Sequence, residues 1–178
     1  MGHVFFIRHG QTEWNVEHRI AGVTDVALTE TGRRQAEEAG KAILAQGIGA
    51  DAILHSPLQR AADTAEILSS VTGIPCRPEP WLREQDFGSW EGRRTDTEGF
   101  LADKQRFACR CGGGESMLQV AQRIYDLLDE LKEQPEKVFI LVAHNGVARV
   151  VKTYFQDMNN EEFASFTVKN GEILRFDF

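Results

Sequence analysis

The sequence has few cysteines and prolines and no long apolar run. Its 178 residues include three cysteines and five prolines, and an odd, small number of cysteines does not suit a secreted disulfide framework. No stretch approaches the roughly 20 apolar residues that a transmembrane helix needs. The N-terminus has neither the basic region nor the small-residue cleavage site of a signal peptide. We therefore expect a cytoplasmic protein that does not contact a membrane.

A metal-binding pattern and a basic surface are also missing. Cys109 and Cys111 have no second Cys or His pair at zinc-finger spacing, so we expect free thiols, no metal and no cofactor. The formal net charge of −7 argues against nucleic acid as a partner, because phosphate backbones require a broad basic face. A small anionic substrate is still compatible with this charge, since the lining of a cleft sets its local potential.

Short apolar runs alternate with segments of helical periodicity. The runs at 3–7, 51–55 and 137–143 predict buried strands. Helices are predicted over 29–46, from an N-cap at Ser56 to about residue 71, from an N-cap at Ser116 to about residue 131, and over about 147–155. Residues 163–168 and 172–177 flank Asn170-Gly171, which is typical of a hairpin.

This alternation predicts an α/β fold, a three-layer α/β/α sandwich with a mainly parallel, mixed sheet. We find no repeat, linker or low-complexity segment, so we expect a single domain over residues 1–178. The glycine-rich and aromatic segment 85–92 is interpreted as loop. A small cap is expected at about 89–116.

Three of the predicted strands end in residues that suit phosphate chemistry. The first ends in Arg8-His9-Gly10, the second in His55-Ser56 with Arg60 one turn into its helix, and the third in His144-Asn145-Gly146. Ligands of such sheets bind beyond the carboxyl ends of the parallel strands. His9 and His144, two arginines and a helix N-terminus at one rim predict an anion site.

The ordered set of motifs resembles the histidine phosphatase superfamily, which includes the cofactor-dependent phosphoglycerate mutases. The resemblance covers residues 3 to about 152 and is carried by 8–15 (RHGQTEWN), Gly22, 56–61 (SPLQRA), 82–92, 114–116 (GES) and 142–146 (VAHNG). It implies a phosphoglycerate mutase-like fold and phosphoryl transfer to a histidine.

The resemblance also implies roles for individual residues. His9 is the phosphoryl acceptor, Glu84 the proton donor and His144 a further catalytic residue. The phosphate is held by Arg8, Asn15, Arg60, His144 and Asn145, and the substrate pocket includes Gln11, Ala21 and Gly22. These roles agree with the chemistry, because phosphoryl transfer needs positioning and charge neutralisation and arginine presents a planar donor fork to phosphate.

Two departures from the mutases favour a phosphatase. Ala21 stands where mutases usually have a hydroxyl residue, and the stretch 93–113 is shorter than the mutase insertion that holds the substrate carboxylate. That stretch contains three large apolar and five basic residues: Phe100, Leu101, Phe107, Arg93, Arg94, Lys104, Arg106 and Arg110.

The leading hypothesis is a metal-independent phosphatase of small phosphorylated metabolites that forms a phosphohistidine on His9. The alternatives are a phosphoglycerate mutase that uses the same residues, a dedicated phosphatase of the α-ribazole phosphatase type, and a phospho-ligand sensor without catalysis. The sequence does not predict the oligomeric state.

Overall fold

A five-stranded mixed sheet forms the centre of the protein. The computed structural model describes residues 2–178. Its strands are β1 (His3–Arg8), β2 (Ala52–His55), β3 (Cys76–Pro78), β4 (Val138–Ala143) and β5 (Ile173–Asp177). Their spatial order is β3-β2-β4-β1-β5. All neighbouring pairs are parallel except β1 and β5, so the predicted mainly parallel, mixed sheet is confirmed.

Helices connect the strands. They are α1 (Glu13–Val16), α2 (Glu30–Ala45), α3 (Gln59–Thr72), α4 (Glu98–Lys104), α5 (Met117–Lys132), α6 (Asn145–Phe155) and α7 (Asn160–Ser165). Short 3-10 turns lie at Pro80–Leu82, Gly88–Trp90 and Cys111–Gly113. Within residues 2–178, no helix is long and apolar enough to cross a membrane.

The sheet is covered on both faces, which confirms the three-layer sandwich. Alternate residues of β1 point to opposite sides: Phe5 and Ile7 pack with α2 and α3, whereas Val4 and Phe6 pack with α5 and α6. Because both faces of β1 and β4 are buried, these strands are continuous apolar runs without a polar face.

Side-chain caps fix where several helices begin and end. The Thr29 hydroxyl accepts a hydrogen bond from the Gly32 amide at the start of α2, and Ser116 forms a capping box with Gln119 at the start of α5. At the end of α3, Gly73 takes the left-handed conformation with φ of +76°. Of these caps, those at Thr29 and Ser116 were expected from the sequence.

The predicted hairpin around Asn170-Gly171 is wrong. The turn exists, with φ of +76° at Gly171, and β5 follows it. Residues 160–165, however, form α7, because Asn159 and Glu162 make a capping box that starts a helix. Strand β5 pairs instead with the free edge of β1.

The helix expected directly after Ser56 also begins later than predicted. Helix α3 starts at Gln59 with Leu58 as its N-cap. The Ser56 hydroxyl accepts a hydrogen bond from the Leu58 amide and contacts His144, so Ser56 is part of the loop between β2 and α3 rather than a helix cap.

Candidate active site

The carboxyl ends of the three parallel strands meet at one edge of the sheet. Arg8 is in register with Ala143, and His55 with Val142. The residues that follow β1 and β4 are therefore neighbours. The ring centroids of His9 and His144 lie 5.1 Å apart, and both side chains are buried. The predicted rim is thus present and places the two histidines side by side.

His9 is held in one tautomer by its own loop. Its Nδ1 donates a hydrogen bond to the carbonyl oxygen of Gly10 at 2.7 Å, which leaves the lone pair of a neutral ring on Nε2. The amide of Gly10 in turn donates to the Thr64 hydroxyl at 3.1 Å. Residue 10 has to be glycine, because a Cβ there would overlap the carbonyl of Gly32 in α2.

Two arginines lie beside His9 without a carboxylate partner. Arg60 is only 1% exposed, and its Nη1 and Nη2 donate to the carbonyls of Thr24 (2.9 Å) and Gly22 (2.7 Å). Arg8 donates through Nη1 to the carbonyl of Val168 at 2.6 Å. Within residues 2–178, neither arginine is in an ion pair. A buried cation paired only with carbonyls is costly unless an anion neutralises it.

His144 is held by a serine. Its Nε2 lies 2.7 Å from the Ser56 hydroxyl oxygen. When that hydroxyl donates, the proton of the neutral ring lies on Nδ1, which makes Nδ1 a donor.

The buried nitrogens without a hydrogen-bond partner belong to residues of this site. Among the described residues, the buried side-chain nitrogens or oxygens that lack a hydrogen-bond partner are Arg8 Nε, Arg60 Nε and His144 Nδ1. Buried polar groups are nearly always satisfied, so three such atoms around His9 indicate a site that an anion completes.

The same environment keeps both histidines neutral. Burial lowers the pKa of His9 well below its ordinary value of 6.5, and the charges of Arg60 and Arg8 lower it further. Burial, followed by Arg60, also lowers the pKa of His144. A neutral His9 retains the lone pair that a nucleophile requires.

Glu84 reaches the site from the segment after β3. Its Oε1 accepts a hydrogen bond from the Gln85 amide (2.9 Å) and its Oε2 accepts one from the Gly146 amide (3.0 Å). The carboxylate sits so close to Gly146 that a Cβ at residue 146 would overlap it. The glycine of the His144-Asn145-Gly146 motif therefore makes room for Glu84.

Comparison with known proteins gives the family. The model of the histidine phosphatase superfamily (branch 1) matches residues 4–178. The chain belongs to the histidine phosphatase superfamily. It is 35% identical over 152 residues to the "Probable phosphoglycerate mutase GpmB" of Erwinia tasmaniensis, a match that covers 82% of this chain and 70% of the relative.

Solved structures of phosphatases have the same fold. A mycobacterial glucosyl-3-phosphoglycerate phosphatase, solved in complex with VO3, superposes with a TM-score of 0.86 at 29% identity and covers 98% of this chain and 90% of its own. The alpha-ribazole phosphatase of Shigella flexneri has a TM-score of 0.83 at 27% identity, with coverage of 98% and 90%.

A cavity of about 240 Å³ opens over His9 in this histidine phosphatase. Six of the residues predicted for the site line it, namely Arg8, His9, Asn15, Ala21, Glu84 and Asn145. Arg60 and His144 are almost fully buried and do not line the cavity.

Two predicted pocket residues lie outside the cavity. The side-chain oxygen of Gln11 accepts a hydrogen bond from the Thr29 hydroxyl, and the backbone amide of Gln11 donates to the side-chain oxygen of Gln35. Gly22 uses its carbonyl to hold Arg60. Gly22 therefore positions Arg60, and neither Gly22 nor Gln11 lines the cavity.

Two cations on the cavity wall, Lys104 and Arg149, were not predicted from the sequence as site residues. Arg149 follows Asn145 by four residues on α6, and this helical spacing is the signal that identifies it. Lys104 is the one residue among the five basic residues of 93–113 that lines the cavity, and of the apolar residues there only Phe100 does. No sequence signal separates Lys104 from its neighbours, because its position depends on how α4 packs.

Proposed function

We propose that this histidine phosphatase hydrolyses phosphomonoesters of small metabolites through a phosphohistidine on His9. The observation that carries the proposal is the set of unpartnered buried nitrogens of Arg8, Arg60 and His144 next to a neutral His9. The mycobacterial phosphatase of the same fold, which was solved in complex with VO3, also supports the proposal of a phosphatase.

In the first step, the His9 Nε2 lone pair attacks phosphorus and the bond from phosphorus to the ester oxygen breaks. Arg8, Arg60 and His144 neutralise the charge on the phosphoryl oxygens as it shifts. Asn15 and Asn145, on the cavity wall, add neutral donors to the phosphate. A protonated Glu84 gives its proton to the leaving oxygen.

In the second step, water attacks the phosphohistidine. Glu84, now ionised, takes a proton from that water, the bond from phosphorus to Nε2 breaks, and inorganic phosphate leaves with the lone pair returned to His9. The positive charge comes from the two arginines, so no metal is needed for either step.

Turnover of an aryl phosphate tests this proposal. We expect phosphate release from p-nitrophenyl phosphate that EDTA does not reduce, and a fall of about a thousandfold or more in kcat for His9→Ala. His3→Ala, at the opposite end of β1, serves as the matched control and should retain activity. Undiminished turnover in His9→Ala, or binding of a phospho-compound without turnover in the wild type, would overturn the proposal.

A phosphoglycerate mutase is the second candidate. It is favoured by the name of the Erwinia relative and by the cations Lys104 and Arg149 on the cavity wall. Incubation with 3-phosphoglycerate discriminates the two activities: the phosphatase releases phosphate faster than 2-phosphoglycerate appears, and the reverse order would identify a mutase. Release of phosphate from α-ribazole phosphate far faster than from other esters would instead identify the dedicated phosphatase.

A further inference from the structure

A buried ion pair lies close to Glu84 but outside the cavity. The carboxylate of Glu115 accepts hydrogen bonds from Nε and Nη2 of Arg123 on α5, both at 3.0 Å, a bidentate contact that lysine does not reproduce. Glu115 is 8% exposed, and neither residue lines the cavity over His9. Burial alone would raise the pKa of Glu115, but the hydrogen bonds and charge of Arg123 outweigh burial and lower it. The carboxylate is therefore ionised.

The same guanidinium also contacts the backbone that carries Glu84. Its other N–H groups donate to two carbonyl oxygens of the segment after β3, Nη1 to that of Trp81 and Nη2 to that of Glu84 at 3.4 Å. The carbonyl of Glu84 and the amide of Gln85 belong to one peptide group, and this amide donates to Oε1 of Glu84 at 2.9 Å. Arg123 therefore contacts the very peptide group that binds the carboxylate of the proton donor.

Glu115 holds the same segment through its own backbone. Its amide donates to the carbonyl of Asp86 at 2.8 Å, and its carbonyl accepts a hydrogen bond from Nε2 of Gln85 at 2.8 Å. The preceding Gly114 permits this approach, because a Cβ there would overlap the carbonyl of Asp86. The sequence motif that contains Gly114 and Glu115 therefore joins the segment of Glu84 to the start of α5.

A general acid has to lie within hydrogen-bond reach of the oxygen that it protonates. A buried ion pair adds little stability compared with apolar side chains of similar size, so stability alone does not account for this one. We propose that Glu115 and Arg123 are positioning residues for proton transfer, which hold the Glu84 carboxylate where the leaving oxygen of the ester departs. This inference rests on the phosphatase mechanism proposed above and extends it to two residues outside the cavity.

Two esters with different leaving groups test the inference. The alkoxide of glycerol 3-phosphate needs a proton as it leaves, whereas the p-nitrophenolate of p-nitrophenyl phosphate is stable without one. The ratio kcat/KM compares the transition state with free enzyme and free ester, so it reports the transfer to His9. A displaced Glu84 should therefore slow the alkyl ester and spare the aryl ester, whereas general damage to the site slows both.

The variant Arg123→Lys retains a positive charge next to Glu115 but has one nitrogen in place of the fork. We expect kcat/KM to fall about tenfold or more on glycerol 3-phosphate and less than about threefold on p-nitrophenyl phosphate, because a positioned acid contributes about a hundredfold or more in all.

Arg83→Met is the matched control. Arg83 pairs with the same carboxylate of Glu115, at 3.4 Å, but 47% of its side chain is exposed. We expect this variant to keep kcat/KM within about threefold of the wild type on both esters, because an exposed ion pair contributes little.

A double variant tests whether Arg123 acts through Glu84. If it does, Arg123→Lys should reduce kcat/KM of Glu84→Gln on glycerol 3-phosphate by less than about threefold, because the two substitutions remove the same proton transfer. A further loss as large as that in the wild type would overturn the inference, and so would equal losses of Arg123→Lys on the two esters.

The outcomes also separate this inference from the proposed function. Absence of wild-type turnover with both esters would remove the phosphatase proposal. A selective loss on the alkyl ester in Glu84→Gln that is absent from Arg123→Lys would overturn the positioning role alone. Circular dichroism shows whether each variant is folded. If Arg123→Lys is not, Glu115→Gln replaces it, with the same selective loss expected, since this variant keeps the shape of the side chain but removes the charge that holds Arg123.

Discussion

The Nε2 atom of His144 lies 2.7 Å from the hydroxyl oxygen of Ser56, which joins the end of β4 to the loop after β2. Both side chains are buried. The contact assigns one ring nitrogen to the serine and leaves Nδ1 as the unpartnered atom. Ser56 is therefore a positioning residue for His144.

Removing this hydroxyl should impair the chemical step more than substrate binding. We expect Ser56→Ala to lower kcat about tenfold while KM changes less than threefold, because a lost buried hydrogen bond is worth about 1–3 kcal/mol and the ring of His144 loses its fixed tautomer. Steady-state kinetics on p-nitrophenyl phosphate measure this, with Ser70→Ala on the exposed face of α3 as the control. A change confined to KM would contradict the role of Ser56.

The effect of removing the proton donor should depend on the leaving group. Glu84→Gln keeps the shape of the side chain but has no proton to give to an alkoxide. We expect kcat to fall about a hundredfold or more on alkyl phosphates such as glycerol 3-phosphate and much less on p-nitrophenyl phosphate, whose leaving group is stable as an anion. Equal losses on the two esters would exclude Glu84 as the acid.

The neutral state of His9 predicts how stability depends on pH. Its pKa is lowered in the folded protein, so the unfolded chain binds more protons once the pH falls below the ordinary value of about 6.5. The free energy of unfolding should therefore decrease as the pH is lowered below 6.5, with His9 contributing about 1.4 kcal/mol per pH unit.

Replacing His9 removes this contribution. The free energy of unfolding of wild type and His9→Asn can be measured with urea between pH 7 and pH 5. We expect it to depend less steeply on pH in the variant, by about 1.4 kcal/mol per pH unit. Identical slopes would indicate that His9 is protonated in the folded state.

The edge of the sheet that carries the site could be predicted because short sequence patterns identify the strands and the residues at their ends. Apolar runs such as 138–142 must be buried, and the residues at the ends of parallel strands meet at one edge. The structure therefore has Arg8, His9 and His144 at the edge where these patterns predict them. The caps at Thr29 and Ser116 were found for the same reason, since each lies within three residues of its partner.

What the sequence did not reveal depends on contacts between distant segments. Gly22 was predicted to line the pocket, but its carbonyl is used by Arg60, 38 positions away. Lys104 has no local signature that distinguishes it from Arg106 or Arg110. Strand β3 and helix α1 are three and four residues long, too short for periodicity to identify. The prediction of a hairpin was wrong because the capping box at Asn159 starts a helix and because β5 pairs with the open edge of β1.

Capture of the covalent intermediate decides whether His9 is the phosphoryl acceptor. The protein is mixed with p-nitrophenyl phosphate, quenched within milliseconds in alkaline denaturant, which preserves phosphohistidine, and analysed by peptide mass spectrometry. We expect one phosphoryl group on the peptide that contains His9, and none in His9→Ala. Turnover in the wild type without any phosphorylated peptide, or with the phosphoryl group on another residue, would contradict transfer through His9.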